Sequence, residues 1–236
     1  MVRVSLENIN LSFPIVGKVN FSIRKYAVEK IVGGNLTKEN DIIKIHALKN
    51  ISFEAQEGDR IGFFGHNGSG KTTLLRLILG VFEPDSGNIS IAGNLASMLS
   101  LNLGVDTSFT GLEIIKLKSK LLKLNKLEEE KLINDVIEFS QLGDYIYLPL
   151  STYSSGMNMR LSFAIATHKS SDIIILDEWL SAGDISFQPR AQNRMKNIIK
   201  NTGILFLASH DIEMLKNTCN KIFFLEKGSI VKAESL

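Results

Sequence analysis

The chain sets short apolar runs between longer amphipathic stretches. RIGFFG (60–65), DIIILDE (172–178) and GILFLAS (203–209) are almost continuously apolar, as expected of strands buried on both faces. KTTLLRLILG (71–80) instead places Leu74, Leu75, Ile78 and Leu79 at helical spacing, with Gly80 where a helix would end. Helices are also predicted over 110–124, 128–145, 154–168, 190–200 and 211–219. The alternation in VRVSLENINLSF (2–13) predicts a strand or strand pair. IHALKNISFEAQEGD (45–59) predicts a strand running into a turn at Gly58-Asp59, and EPDSGNISIAG (83–93) a turn into a strand. KIFFLEKGSIV (221–231) predicts a hairpin. Strands that alternate with helices imply an α/β fold with a mostly parallel sheet, interrupted near 106–170 by a helical subdomain. Residues 14–44, with Pro14, Gly17, Gly33 and Gly34, form an inserted excursion with one short helix near 21–32.

Composition narrows the partners. The 236 residues suit one large or two small domains, and a 44% hydrophobic content is ordinary for a globular chain. A net charge of +2 gives no argument for nucleic acid. The single cysteine, Cys219, excludes an intrachain disulfide and reads as a small buried side chain. No apolar run reaches the ~18 residues of a membrane span, and the N-terminus lacks the apolar centre of a secretory signal. The expected place is the cytosol, with any membrane reached through a partner.

The chemistry starts between the first buried strand and its helix. Gly65-His66-Asn67-Gly68-Ser69-Gly70-Lys71-Thr72 fits G-x-x-x-x-G-K-[ST] at every fixed position. Glycines let the backbone curl so that its N–H groups face anionic oxygens, and the helix N-terminus adds partial positive charge. Lys71 would reach the β- and γ-phosphates of a nucleotide, Thr72 would hold Mg²⁺, and Thr73 follows in the same turn. A glycine-rich turn with a chance lysine shares the composition, but not the order of strand, motif and helix.

Asp177 and Glu178 end the second buried run, where strands of a parallel sheet face a ligand crevice. Solvated loop acids are the plain alternative. Beside a phosphate loop, Asp177 suits a metal and Glu178 an attacking water. His210 ends the next buried strand, as a structural histidine or as a contact to the γ-phosphate. Tyr153-Ser154-Ser155-Gly156 precedes a helix: the serines serve as an N-cap, and with Gly156 they make a second anion site.

The ordered pieces GHNGSGKTT, YSSGM, IIILDE, SAGD and SH resemble the phosphate loop, signature, Walker B, D-loop and H-loop of ATP-binding cassette (ABC) ATPases, over essentially the whole chain. The resemblance implies one P-loop NTPase domain over 1–236, with an antiparallel β region and the inserted helical subdomain. It implies ATP and Mg²⁺ as cofactors and a head-to-tail dimer of two copies. In that dimer Ser154, Ser155 and Gly156 of one copy face the phosphate loop of the other. Glu178, His210 and Lys71 would be catalytic, and Thr72 and Asp177 would hold the metal.

SSGMNMRLSFAIAT and LDEWLSAGDISFQ are similar to the ATPase subunits of polysaccharide, O-antigen and teichoic-acid exporters, with Trp179, Gly183, Asp184, Phe187 and Gln188 matching. Trp179 reads equally as a core or rim aromatic. This resemblance implies ATP-driven outward transport of a polysaccharide or lipid-linked glycan, with an integral membrane permease and a peripheral place on the cytoplasmic side of the membrane. A non-transport ABC ATPase of translation or repair, or an exporter of another cargo, are the alternatives. Two points depart from the family pattern. The glutamine expected near 98–111 is absent, leaving Ser100 and Asn102 as polar stand-ins beside Leu103-Gly104. The C-terminal glycan-binding domain of some exporters is not expected, because the chain ends at Leu236 just after the hairpin. Phe13 is either an adenine-stacking aromatic or a core phenylalanine.

Overall fold

The computed structural model describes residues 1–15, 36–39, 42–97, 106–169, 171–177 and 187–236, in two compact units. The first holds residues 1–95, 171–178 and 202–236, and the second 96–170 and 179–201.

The first unit contains two sheets. One is antiparallel and is built from β1 (Arg3–Ile15), β2 (Leu36–Glu39), β3 (Ile42–Gln56) and β5 (Ser86–Ala92), in the order β2-β3-β1-β5. The segment expected as a strand or strand pair is thus one strand. It keeps pairing with β3 through register shifts, and Asn8 adopts a left-handed backbone with φ 52°. Such a bulge lets a single strand bend and stay paired. Within 14–44, β1 continues to Ile15, and the pairing of β2 with the start of β3 adds a further strand. The short helix expected near 21–32 lies outside the described residues.

The other sheet carries β4 (Arg60–Phe64), β7 (Ile173–Asp177), β8 (Ile204–Ser209), β9 (Lys221–Glu226) and β10 (Ser229–Ser235), in the order β10-β9-β4-β8-β7. Strands β4, β7, β8 and β9 run parallel, and β10 returns antiparallel to β9 as the expected hairpin. Ile173–Leu176 and all six residues of β8 are buried, which explains their continuous apolar runs. Phe63 stacks between Phe206 and Phe223 at 5.9 and 6.0 Å, and Phe53 of β3 packs against all three rings. This aromatic cluster joins the two sheets. Helices α1 (Lys71–Ile78) and α6 (Ile212–Thr218) cover the parallel sheet. Cys219, just past α6, is buried as expected, and burial pushes its thiol up to about 12. β6 (Leu95–Ser97) starts at the last residue of the first segment of this unit.

The second unit is helical: α2 (Gly111–Leu121), α3 (Lys126–Ser140), α4 (Ser155–Ala166) and α5 (Gln188–Asn201), with two short 3₁₀ turns between α3 and α4. Capping boxes start α2 at Thr110/Glu113 and α3 at Asn125/Glu128. The helix expected over 128–145 ends at Ser140, where Gln141 turns left-handed with φ 54°. Phe139, Phe163 and Phe187 form a mutually contacting core. Arg194 lies over the Phe139 ring and donates to Asp135, which also pairs with His168 at 2.9 Å. Burial pushes the Asp135 carboxyl up, but hydrogen bonds from Arg194 and His168 outweigh it and hold the group below its usual range. Among the described residues no helix is long and apolar enough to cross a membrane.

Candidate functional site

The site lies at the carboxyl ends of the parallel strands in the first unit. In register, Phe64 of β4 pairs with Ser209 of β8, and Asp177 of β7 with Ala208. The loop after β4, the acid ending β7 and His210 after β8 therefore leave the sheet at the same end. In open α/β sheets this end is the ligand crevice.

The loop curls because its glycines allow it. Gly68 and Gly70 have φ of 81° and 107°, in the left-handed region that other residues enter at a cost. A Cβ on Gly65 would sit 2.5 Å from the Leu225 carbonyl. The result is a tight turn, closed by Ser69 N–H donating to His66 O at 3.1 Å, with His66, Asn67 and Gly68 exposed. Gly70 caps α1 without a side chain, and the first turn of α1 carries no acid. Its backbone N–H groups and the helix dipole are thus directed at the loop, as an anion site requires.

Lys71 is only 6% exposed, and its Nζ donates to Gly65 O at 2.7 Å and His66 O at 3.2 Å. These bonds hold the ammonium inside the curl of the loop. Thr72 Oγ1 donates to Asp177 Oδ2 at 2.6 Å, joining residues 105 apart in sequence. Thr73 is half-buried on the same turn. Ser69 Oγ is buried and has no hydrogen-bond partner among the described residues. A buried hydroxyl of this kind, next to the N-terminus of α1, fits an anionic oxygen as acceptor.

His210 is exposed after β8, and the Asp211 side chain next to it caps α6 by accepting from Glu213 and Met214 N–H. In the second unit, Ser154 caps α4 by accepting from Met157 N–H at 3.2 Å; Ser155 is exposed and Gly156 half-buried. Tyr153 is a buried anchor: its hydroxyl donates to Tyr145 O at 2.7 Å, and burial pushes its phenol up.

A family model described as ABC transporter matches residues 48–181, from β3 through the glycine-rich loop and past β7. The chain belongs to the ABC transporter family. The O-antigen export system ATP-binding protein RfbE of Yersinia enterocolitica is 39% identical over 231 residues, 98% of this chain and 97% of that protein. The teichoic acids export ATP-binding protein TagH of Bacillus anthracis is 38% identical over 185 residues, 78% of this chain but 34% of that protein. Among solved structures, an ATP-binding subunit of an ABC transporter aligns with a TM-score of 0.72 at 20% identity, covering 99% of this chain and 90% of that one. A dimeric ATP-binding cassette in a post-hydrolysis state, bound to ADP and Pi, aligns with a TM-score of 0.71 at 19% identity, covering 99% and 98%. The expected P-loop ABC fold, with its antiparallel region, is thus the fold of this chain.

In this ABC ATPase the structure brings Gly65–Thr73, Asp177 and the end of β8 to one edge of one sheet. Ser154–Gly156 belong to the helical unit and are described there by themselves. Glu178, Trp179, Gly183, Asp184, Ser100 and Asn102 lie outside the described residues. Phe187 is a buried member of the second unit's aromatic core. Phe13 is half-buried, and its ring meets Phe82 edge-on at 5.0 Å. Phe82, two residues past Gly80, carries no motif and is marked only by its contact with Phe13. Ser69, a variable position of the motif, contributes a buried side-chain hydroxyl that the motif does not specify.

Proposed function

We propose that this chain is the ATP-hydrolysing subunit of an ABC exporter that drives a polysaccharide or lipid-linked glycan outward across the cytoplasmic membrane. It would act as a head-to-tail pair of copies bound to a membrane permease. The observation that carries the reading is the 2.6 Å contact between Thr72 Oγ1 and Asp177 Oδ2 beside the buried Lys71. Two hard oxygen donors at the mouth of a phosphate-binding curl are the donor set a Mg²⁺ ion prefers. Thr72 and Asp177 would hold that ion, whose charge would offset the charge developing on the β- and γ-phosphate oxygens. The cargo class is supported by the near full-length similarity to an O-antigen export protein.

The phosphate loop, Gly65 to Thr73, binds the phosphates through its amides, and Lys71 supplies positive charge to them. Glu178 accepts a hydrogen bond from the attacking water and orients it, and His210 contacts the γ-phosphate. Phe13 supports the adenine. Ser154, Ser155 and Gly156 of the second copy close the other side of the nucleotide, because serine hydroxyls and the first amides of α4 form an anion site. The test is ATP hydrolysis by the purified protein together with Glu178→Gln and Lys71→Ala. Glu178→Gln keeps ATP binding and loses about 10²–10⁴-fold in turnover, as expected when a water-orienting base is removed. Lys71→Ala loses binding itself. Wild-type turnover by Glu178→Gln overturns the assignment.

A further inference from the structure

The connection between α2 and α3 has a composition that the nucleotide chemistry does not use. Residues 116–127 read KLKSKLLKLNKL: five lysines and no acid. The chain as a whole carries a net charge of only +2, so the rest of it is net negative. At the tip, Leu121, Leu122 and Leu127 are 70%, 51% and 62% exposed. Lys116, Lys120, Lys123 and Lys126 are exposed in the same segment, and Lys118 is half-buried. None of the five lysines forms a salt bridge with a described residue, and Lys116 alone acts at longer range on a carboxylate, that of Glu113. The acids that follow are largely occupied: Glu128 closes the capping box with Asn125 and faces Lys169 at 4.0 Å, and Glu129 accepts from Ser119; Glu130 is exposed.

Local stability does not account for this tip. Lys126 is the first residue of α3, where the helix dipole disfavours a positive charge. Lys123 is held left-handed at φ 53°, a backbone that a long side chain rarely adopts. Three exposed leucines within seven residues gain nothing in water. The hairpin beneath them is firmly built: Asn125 caps α3, and the Ser119–Glu129 bond ties the two helices together. The tip is therefore a knob, anchored at both helices, that exposes aliphatic side chains and ammonium groups in one short segment.

We propose that this knob docks on the anionic headgroups of a lipid bilayer, with the three leucines entering the interface and the lysines pairing with phosphates. Charge and composition favour lipid over protein. Protein interfaces are depleted in lysine, and their strongest contacts are aromatic or arginine side chains, all absent from 116–127. Leucine flanked by lysine is the pattern of interfacial membrane segments. The surface adds a direct membrane contact to the proposed exporter role and is read independently of it.

The test is co-flotation of the full chain with vesicles of phosphatidylcholine alone or with about a third phosphatidylglycerol, at low and high salt. Wild type is expected to bind the anionic vesicles and to weaken as salt rises. Lys123→Gln/Lys126→Gln should lose about fivefold in partition per lysine. Leu121→Ser/Leu122→Ser/Leu127→Ser should abolish the binding that survives at high salt. Because all five positions are exposed, thermal midpoint and ATP turnover in solution should match wild type in both variants. Equal binding to neutral and anionic vesicles, or wild-type binding by both variants, overturns the proposal. So does association that appears only when a membrane protein partner is embedded in neutral lipid. A wild-type protein that hydrolyses ATP but binds no anionic vesicle sinks this surface alone, whereas a wild-type protein that floats with anionic vesicles but hydrolyses no ATP sinks the enzymatic reading alone.

Discussion

Replacing Gly65 by alanine tests whether the phosphate loop is held by its own tight packing. The added Cβ would lie 2.5 Å from Leu225 O and 2.6 Å from Ser69 Oγ. The serine hydroxyl can rotate away, but the Leu225 carbonyl belongs to β9, which pairs with β4 immediately before the loop. Relief must come from moving the loop. Overpacking of this kind costs about 1–3 kcal/mol. For a chain of this size each kcal/mol lowers the thermal midpoint by about 2–4 °C, so a cost of about 2 kcal/mol lowers it by about 4–8 °C. Ligand binding gives a second readout. At ATP a hundredfold above its Kd, the wild type gains about 2.7 kcal/mol; a tenfold loss of affinity reduces the gain to about 1.4 kcal/mol. Thermal melts with and without MgATP measure both effects. Gly58→Ala is the control, since its φ is 96° but no atom lies within 4 Å of the added Cβ. It should show a small loss of midpoint and the full ATP shift. A Gly65→Ala protein that keeps both the wild-type midpoint and the wild-type ATP shift would refute the packing argument.

Thr72→Val keeps the shape of the side chain and removes the hydroxyl that donates to Asp177. ATP affinity should then lose its dependence on Mg²⁺, with Thr72→Ser restoring it, as titrations with and without the metal would report. In a Cys219→Ser background, Ser69→Cys/Ser155→Cys should crosslink between chains when ATP is present and Glu178 is changed to Gln; intrachain crosslinking contradicts the head-to-tail pairing. Asp135 is depressed in the folded state, so its contribution to stability is complete above about pH 4 and is lost as pH falls through the folded value. Asp135→Asn should therefore be less stable than wild type at pH 7, and the difference should shrink in melts below about pH 4. A gap that stays constant with pH would show that the pairing of Asp135 with Arg194 and His168 carries no ionic contribution.

The local elements were legible in the sequence because their causes are local. β7 and β8 read as buried strands from their continuous apolar runs, and the loop from Gly65 to Thr72 read as a phosphate cradle because only glycines permit its backbone. Gly80 likewise announced the end of α1. The sequence did not decide how far β1 extends, because a bulge near Asn8 keeps one strand paired where the polar residues suggested a break. Nor did it show that residues 187–201 join the helical unit, or that Phe82 meets Phe13. The strand order β9-β4-β8-β7 is also a tertiary outcome. It sets Asp177 on β7 and the loop after β4 on either side of β8, and so lets Thr72 reach a carboxylate 105 residues away. Periodicity and turn chemistry act over a few residues, whereas this contact exists only once parallel strands from distant parts of the chain share a sheet.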